Sequence, residues 1–203
     1  MIVLDAAALI DAAYEDALGS STQKKPDSDG VQAYLMRDGT LVIPGTNELS
    51  DWRRYNMNVY DRKIADAGGG YRFHSGFLRH ASAIYTWVKN KRVKRVTGHS
   101  LGAASGQILG AKLNLPVINF ASPKVSLKRY RYSNEIQILN FNRKDDRVTK
   151  APRWGFRHVG QVVWLSQPGG NFGGDHKVAR YVELLKDPRY AHLPKRWPVP
   201  RAG

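Results

Sequence analysis

The chain has 203 residues, 42% of them hydrophobic, with 10 Tyr and 5 Trp; this suits one compact domain with a core and excludes a largely disordered chain. It has no cysteine, which excludes disulfides, a thiolate nucleophile and cysteine-ligated metals, and no apolar run long enough to cross a bilayer. Lys and Arg number 32 against 17 Asp and Glu, and the net charge of +15 favours anionic partners such as acidic lipid headgroups. The cations are spread along the chain without a helix-turn-helix or RNA-binding signature, so no specific nucleic-acid partner is expected. The start, Met1 to Asp5, lacks a basic n-region and a signal cleavage site. The expectation is a cytoplasmic protein as written; a phage-encoded protein, or release by a route without a signal, would also suit.

Leu4 to Leu18 has helical spacing. Ala6, Leu9, Ile10, Ala13 and Tyr14 form an apolar stripe, Asp5 is placed to cap the start, and Gly19 ends it. Ser20 to Gly30 is polar and reads as a loop. Val31 to Met36 and Leu41 to Ile43 flank Arg37, Asp38 and Gly39, a hairpin signal. The second run ends at Pro44, Gly45 and Thr46. A sharp turn at the glycine exposes the next amide, and Thr46 offers a backbone N–H and a hydroxyl to an oxyanion. The same residues suit an N-terminal cap for a short helix through Asn56, and the two roles are compatible. Gly68 to Gly70 is a flexible span. Phe73 and His74 lead into a helix over Leu78 to Asn90, and His74 at that junction is expected to be structural.

The stretch that opens with Val93 and Val96 reads as a short strand, and Leu101, Ala104, Ile108 and Leu109 mark a helix to about Leu113. Between them lies Gly98-x-Ser100-x-Gly102, the strand–turn–helix context of a nucleophile elbow. The glycines leave room beside the serine, and the helix turns its amide end towards a developing oxyanion. Plain Gly/Ser loops share the pattern, so a base, an acid and further donors have to come from elsewhere. Pro116 to Phe120 is a buried-strand pattern, and Glu135 to Phe141 alternates with the period of a strand. Asp145 and Asp146 follow, just past a strand end, where α/β sheets place their chemistry; a solvated charged turn fits the same residues. His158 to Leu165 is another strand. The glycine-rich run Pro168 to Gly174 lacks the Gly-Lys-Ser/Thr of a phosphate loop. Asp175 and His176 open a helix to Lys186, and a histidine presented there suits a general base. Asp187 to Gly203 reads as an extended, packed tail. Strands alternate with helices, so the class is α/β, in one domain spanning 1–203.

Six blocks in order resemble the fungal-type, or class 3, lipases of the α/β-hydrolase fold. They are Leu41 to Thr46 with Asp51 and Trp52; Phe73 to Phe77; Thr97 to Ala103; Asn119 to Val125; Asp146 to Val148 with Pro152 and His158 to Gly160; and Asp175-His176 with Tyr181. The resemblance implies a three-layer sandwich around a central, mostly parallel sheet. It implies Ser100 as nucleophile, His176 as general base and Asp146 as its orienter, with the amides of Leu101 and Thr46 as the oxyanion hole and the Thr46 hydroxyl as a third donor. It implies no metal and no organic cofactor. The reaction would be hydrolysis of acyl-glycerol or other lipid esters through an acyl-enzyme. Pro44 stands where the family often has Arg, and Ala103 and Ala121 replace glycines. The adjacent Asp145 allows the acid to slip by one; the spacing to Val148 favours Asp146.

By family position, Asn47 to Tyr60 would form a lid. Its moderate apolarity, interrupted by Arg53 and Arg54, suggests anionic lipids or shorter, more soluble esters, and peripheral contact with an anionic membrane surface. Three rivals fit: a phospholipase A or lysophospholipase on anionic membranes, a small-ester or polyester hydrolase, and an inactive basic domain binding an acidic polymer. The last would show a broken triad, and none of the three residues is missing.

Overall fold

A computed structural model describes residues 1–26, 30–45, 64–166 and 176–198. The expected lid and Thr46, the glycine-rich run and Asp175 lie outside the described residues. Helix α1 (Val3–Tyr14) is shorter than its periodicity predicts. Its N-cap is Ile2, with Asp5 in the first turn and no side-chain cap, and Asp16 just beyond its end takes a left-handed φ of 54°. β1 (Gln23–Lys24) is a strand inside the stretch read as loop. It pairs antiparallel with β2 (Tyr34–Leu35), which pairs antiparallel with β3 (Thr40–Ile43) across the Asp38–Gly39 turn. That hairpin is the one the sequence signals.

From β3 onward every pairing in the main sheet is parallel. β3 pairs with β6 (Arg95–His99), β6 with β7 (Val117–Phe120), β7 with β9 (Ile138–Arg143), and β9 with β11 (Gln161–Leu165). Among the described residues the sheet runs β1-β2-β3-β6-β7-β9-β11. Two small sheets flank it: β4 (Ile64–Asp66) with β5 (Arg72–His74), and β8 (Ser126–Leu127) with β10 (Phe156–Arg157). The α/β class with a mostly parallel central sheet is thus what the chain adopts.

Strand alternation divides the core in two. Leu41, Ile43, Val96, Val117 and Ile138 face α2 (Ser75–Val88) and α3 (Leu101–Leu113). Val42, Ile118, Phe120, Leu139 and Phe141 face α1 and α4 (Val178–Lys186). Helix α3 is buried on every side from Leu101 to Ala111, so it is a core element rather than a surface helix. Several boundaries differ from expectation, among them β2, which is confined to Tyr34–Leu35, and β11, which starts at Gln161 rather than His158. α2 starts at Ser75. β9 starts at Ile138, because Ser133–Gln137 forms a 3-10 turn in which Glu135 Oε1 accepts the Tyr132 N–H and Glu135 pairs with Arg157. The described part of the tail is packed, but Pro188–Tyr190 forms a 3-10 turn rather than extended chain: Ile2 bridges Arg196, and Trp197 is buried with its indole N–H donating to Gln137 O at 2.7 Å.

The elbow depends on close backbone approach. A β-carbon on Gly102 would run onto the Ile43 carbonyl oxygen and come within 2.7 Å of Pro44 O. Both obstacles are backbone of β3 and its extension, which cannot swing aside. Gly102→Ala is therefore expected to destabilise the fold by about 3 kcal/mol. Urea unfolding of the two proteins measures the difference, and a change within experimental scatter would refute the close-packing account.

Candidate functional site

Ser100 sits between the last residue of β6 and the first of α3, at φ 58° and ψ −121°. A left-handed φ is rare and costly for a residue with a β-carbon. It is held by the Ser100 N–H donating to Phe120 O at 3.1 Å and by the Ala104 N–H donating to Ser100 O at 3.1 Å. The turn places Leu101 at the head of α3, where backbone N–H groups have no partner within the helix.

The acid loop leaves β9 at Arg143 and turns at once. Asp145 swings onto Arg143, its carboxylate accepting from Nε at 2.9 Å. Asp146 points the other way. Its Oδ2 accepts His176 Nδ1–H at 2.7 Å and Tyr181 Oη–H at 2.8 Å, and its Oδ1 accepts the Val148 N–H at 2.9 Å. Burial by itself would raise its pKa, but the hydrogen bonds from His176, Tyr181 and Val148 hold it below the ordinary carboxylate value. Thr149 pins the loop by donating its hydroxyl to Asp146 O at 2.8 Å. Of the two adjacent acids, the structure brings Asp146 to the imidazole and commits Asp145 to a guanidinium.

A carboxylate can only accept, so His176 carries a proton on Nδ1, and in the neutral tautomer this leaves Nε2 as the acceptor. Both Nε2 of His176 and Oγ of Ser100 are buried and, among the described residues, have no hydrogen-bond partner. The rings of His176 and His99, the residue before Ser100, lie 4.7 Å apart. Asp146 and His176 are joined directly, and His99 ties the His176 backbone to the turn that carries Ser100; Ser100 Oγ and His176 Nε2 make no hydrogen bond to each other. Thr46, the remaining oxyanion candidate, lies outside the described residues.

Two further residues join this group without any sequence signal for it. His99 Nε2–H donates to the His176 carbonyl at 2.7 Å, which fixes the tautomer of His99. Its bare Nδ1 then accepts the Tyr14 hydroxyl at 2.7 Å, while Tyr14 Oη accepts the Gly45 N–H at 2.8 Å. Tyr14 was legible only as part of the apolar stripe of α1. His74, expected to be structural, is buried at the start of α2 against Phe77 and Phe156.

A serine on a tight turn between a central parallel strand and a buried helix, with helices on both sheet faces, defines the α/β-hydrolase arrangement. Among solved structures the chain is similar to fungal lipases. The lipase from Rhizopus microsporus var. chinensis matches with TM-score 0.61 at 18% identity, covering 89% of this chain and 82% of that one. Lip2 lipase from Yarrowia lipolytica matches with TM-score 0.60 at 15% identity, covering 82% and 78%. Rhizomucor miehei triacylglyceride lipase matches with TM-score 0.53 at 19% identity, covering 80% and 73%. No protein-family model matches the chain. The likeness is one of fold: the chain has the architecture of the fungal class 3 lipases.

Burial drives the His99 pKa down to about 3, helped by the neighbouring His176, and that of His158 to about 4. Both rings are neutral in the fold, whereas in the unfolded chain they gain a proton below about 6.5. In that window the unfolded state binds more protons. Their contribution to stability is complete above about 6.5 and is lost as pH falls towards the lowered values, at roughly 1 kcal/mol per pH unit for each ring. Urea unfolding at neutral pH and in mild acid should show this loss. Nitrogen NMR should find the His99 ring still neutral where an ordinary imidazole is charged; a protonated His99 ring there would refute the assignment.

Proposed function

We propose that the protein is a serine carboxylic-ester hydrolase acting on lipid esters, acyl-glycerols among them, through an acyl-enzyme. The observation that carries this reading is the pair of buried, partnerless atoms, Ser100 Oγ and His176 Nε2. Burying a polar atom without a partner costs about 1–3 kcal/mol; of the atoms that bear this cost among the described residues, these two sit on a serine at a strand–helix turn and on an imidazole held by a carboxylate. They are the two atoms that a proton transfer from nucleophile to base requires.

Ser100 Oγ attacks the ester carbonyl carbon as its proton passes to His176 Nε2. Asp146, kept ionised, holds Nδ1–H and stabilises the imidazolium. The tetrahedral oxyanion takes the Leu101 amide at the head of α3 and, by the family pattern, Thr46. Gly45 is not a donor, because its N–H is already given to Tyr14. Collapse expels the alcohol, which takes the proton from His176, and leaves the acyl group on Ser100. Water then gives a proton to His176, attacks the acyl carbonyl and releases the acid. Similarity to a protein named a triacylglyceride lipase supports lipid esters as the substrate class. The net charge of +15 favours a second reading, a phospholipase A or lysophospholipase acting on anionic membranes.

A fluorophosphonate probe is expected to label Ser100, and Ser100→Ala to abolish labelling and lower kcat on a nitrophenyl ester by at least about 10⁴-fold. Turnover by Ser100→Ala at the wild-type rate would end the proposal. The same assay run on triglyceride and phospholipid separates the two readings by which substrate is cleaved faster. Tyr14→Phe should lower kcat about tenfold with KM unchanged, since it frees the Gly45 amide and leaves His99 Nδ1 bare without touching substrate. An unchanged kcat would show that the Tyr14 bridge serves stability alone.

A further inference from the structure

Acidic residues are nearly absent from the middle of the chain: between Asp66 and Glu183 there are only Glu135, Asp145, Asp146 and Asp175. The first three are already engaged. Glu135 holds Arg157 at 2.6 Å, Asp145 holds Arg143, and Asp146 holds His176. The cations left over gather where two segments meet. β8 pairs with β10, the Lys124 N–H donates to Ala151 O at 2.7 Å, and the Lys128 N–H donates to Gly155 O at 3.0 Å. Lys124, Lys128 and Arg129 of one segment therefore lie beside Lys150 and Arg153 of the other. None of these five pairs with a carboxylate among the described residues. Burial, and then the charge of Lys128, lower the pKa of Lys124. Beside them Trp154 is 65% exposed, with the Arg153 guanidinium 5.4 Å from its ring centroid.

Folding accounts for neither feature. Clustered like charges repel, and an exposed indole buries nothing. A bilayer uses both: lysine and arginine heads meet headgroup phosphates, and an indole sits at the headgroup level with its ring in apolar surroundings. The face is joined to the acid loop: the hydroxyl of Thr149, next to Lys150, donates to Asp146 O at 2.8 Å. Lys124 lies just past the end of β7, and Lys150 just past Asp146 in the same loop. We propose that this face docks the protein on an anionic phospholipid bilayer and presents the neighbouring site to lipid esters. Its purpose rests on the hydrolase reading; its test does not.

The test is sedimentation of the protein with vesicles of phosphatidylcholine, with and without phosphatidylglycerol, at low and high salt. Binding is expected on the phosphatidylglycerol vesicles and should be lost at high salt. Lys128→Gln combined with Arg153→Gln should weaken it about 25-fold, roughly fivefold per charge. Trp154→Ala should weaken it as well. Neither protein should lose turnover of a soluble nitrophenyl ester, which shows that each is folded. Equal binding to both vesicles, or wild-type binding by the double variant, overturns the proposal. So does a preference for DNA over phosphatidylglycerol vesicles that the same double variant abolishes. If no ester is turned over but the charge-dependent binding holds, the hydrolase reading falls and the docking face stands.

Discussion

The hydrogen bond from His99 Nε2 to the His176 carbonyl, 2.7 Å long, joins the two ends of the site. On its other side the same ring accepts the hydroxyl of Tyr14, which in turn holds Gly45. Helix α1, the end of β3, the turn after β6 and the segment leading into α4 therefore meet at one imidazole. The arrangement requires that imidazole to be neutral: a doubly protonated ring offers Tyr14 no lone pair and places a charge in a buried site. Burial secures this by lowering the pKa of His99. The two neighbouring histidines consequently hold opposite tautomers. His99 keeps its proton on Nε2 because a carbonyl faces it, and His176 keeps its proton on Nδ1 because a carboxylate does.

The strain at Ser100 is sustained by its surroundings. A left-handed non-glycine residue costs of order 1–3 kcal/mol and persists only where neighbours over-determine it. Here the neighbours are backbone. Gly98 packs against the Gly102 peptide, and Gly102 packs against Ile43 and Pro44. Helix α3 is buried from Leu101 to Ala111 and cannot tilt to relax the turn. The same closeness brings the end of β3 beside Ser100: a β-carbon on Gly45 would lie 2.7 Å from the Ser100 Cβ. Glycine at these positions links local geometry to function, because the approach that strains the serine also gathers the groups around it.

Much of this arrangement is legible in the residues, and the exceptions have physical causes. The hairpin at Asp38–Gly39, the elbow at Ser100 and the alternation of strand and helix are local signals, and they hold. Ile136 falls on the alternation that continues into β9, yet it is 71% exposed, because Glu135 is drawn to Arg157 and winds the chain into a 3-10 turn. Asp145 and Asp146 are indistinguishable by pattern. What separates them is Arg143, which takes the first and leaves the second for His176. Asn119, Asn140 and Asn142 are completely buried in central strands, an unlikely place by residue type alone. They are bonded to neighbouring elements: Asn119 donates to Asn140 Oδ1 at 3.1 Å, and Asn142 Oδ1 accepts the Ser122 N–H at 2.7 Å, while Asn119 Oδ1 has no partner among the described residues. Tyr14 was readable as an inward residue, but its hydroxyl's partners lie 31 and 85 residues away, beyond any local pattern.

Among the described residues, two imbalances bear on the proposed site and docking face. One is the pair of partnerless atoms at Ser100 and His176; the other is the group of unpaired cations around Lys128 and Arg153. Both raise the free energy of the isolated molecule, the first through desolvation and the second through repulsion. Under the proposed readings both would be relieved at one surface. The carbonyl of a bound ester would take Ser100 Oγ as its proton passes to His176 Nε2. The phosphates of an anionic bilayer would neutralise the cations. A ligand that binds the folded state in this way would also stabilise it by mass action, so the proposed docking and the proposed chemistry would each raise the stability of the fold.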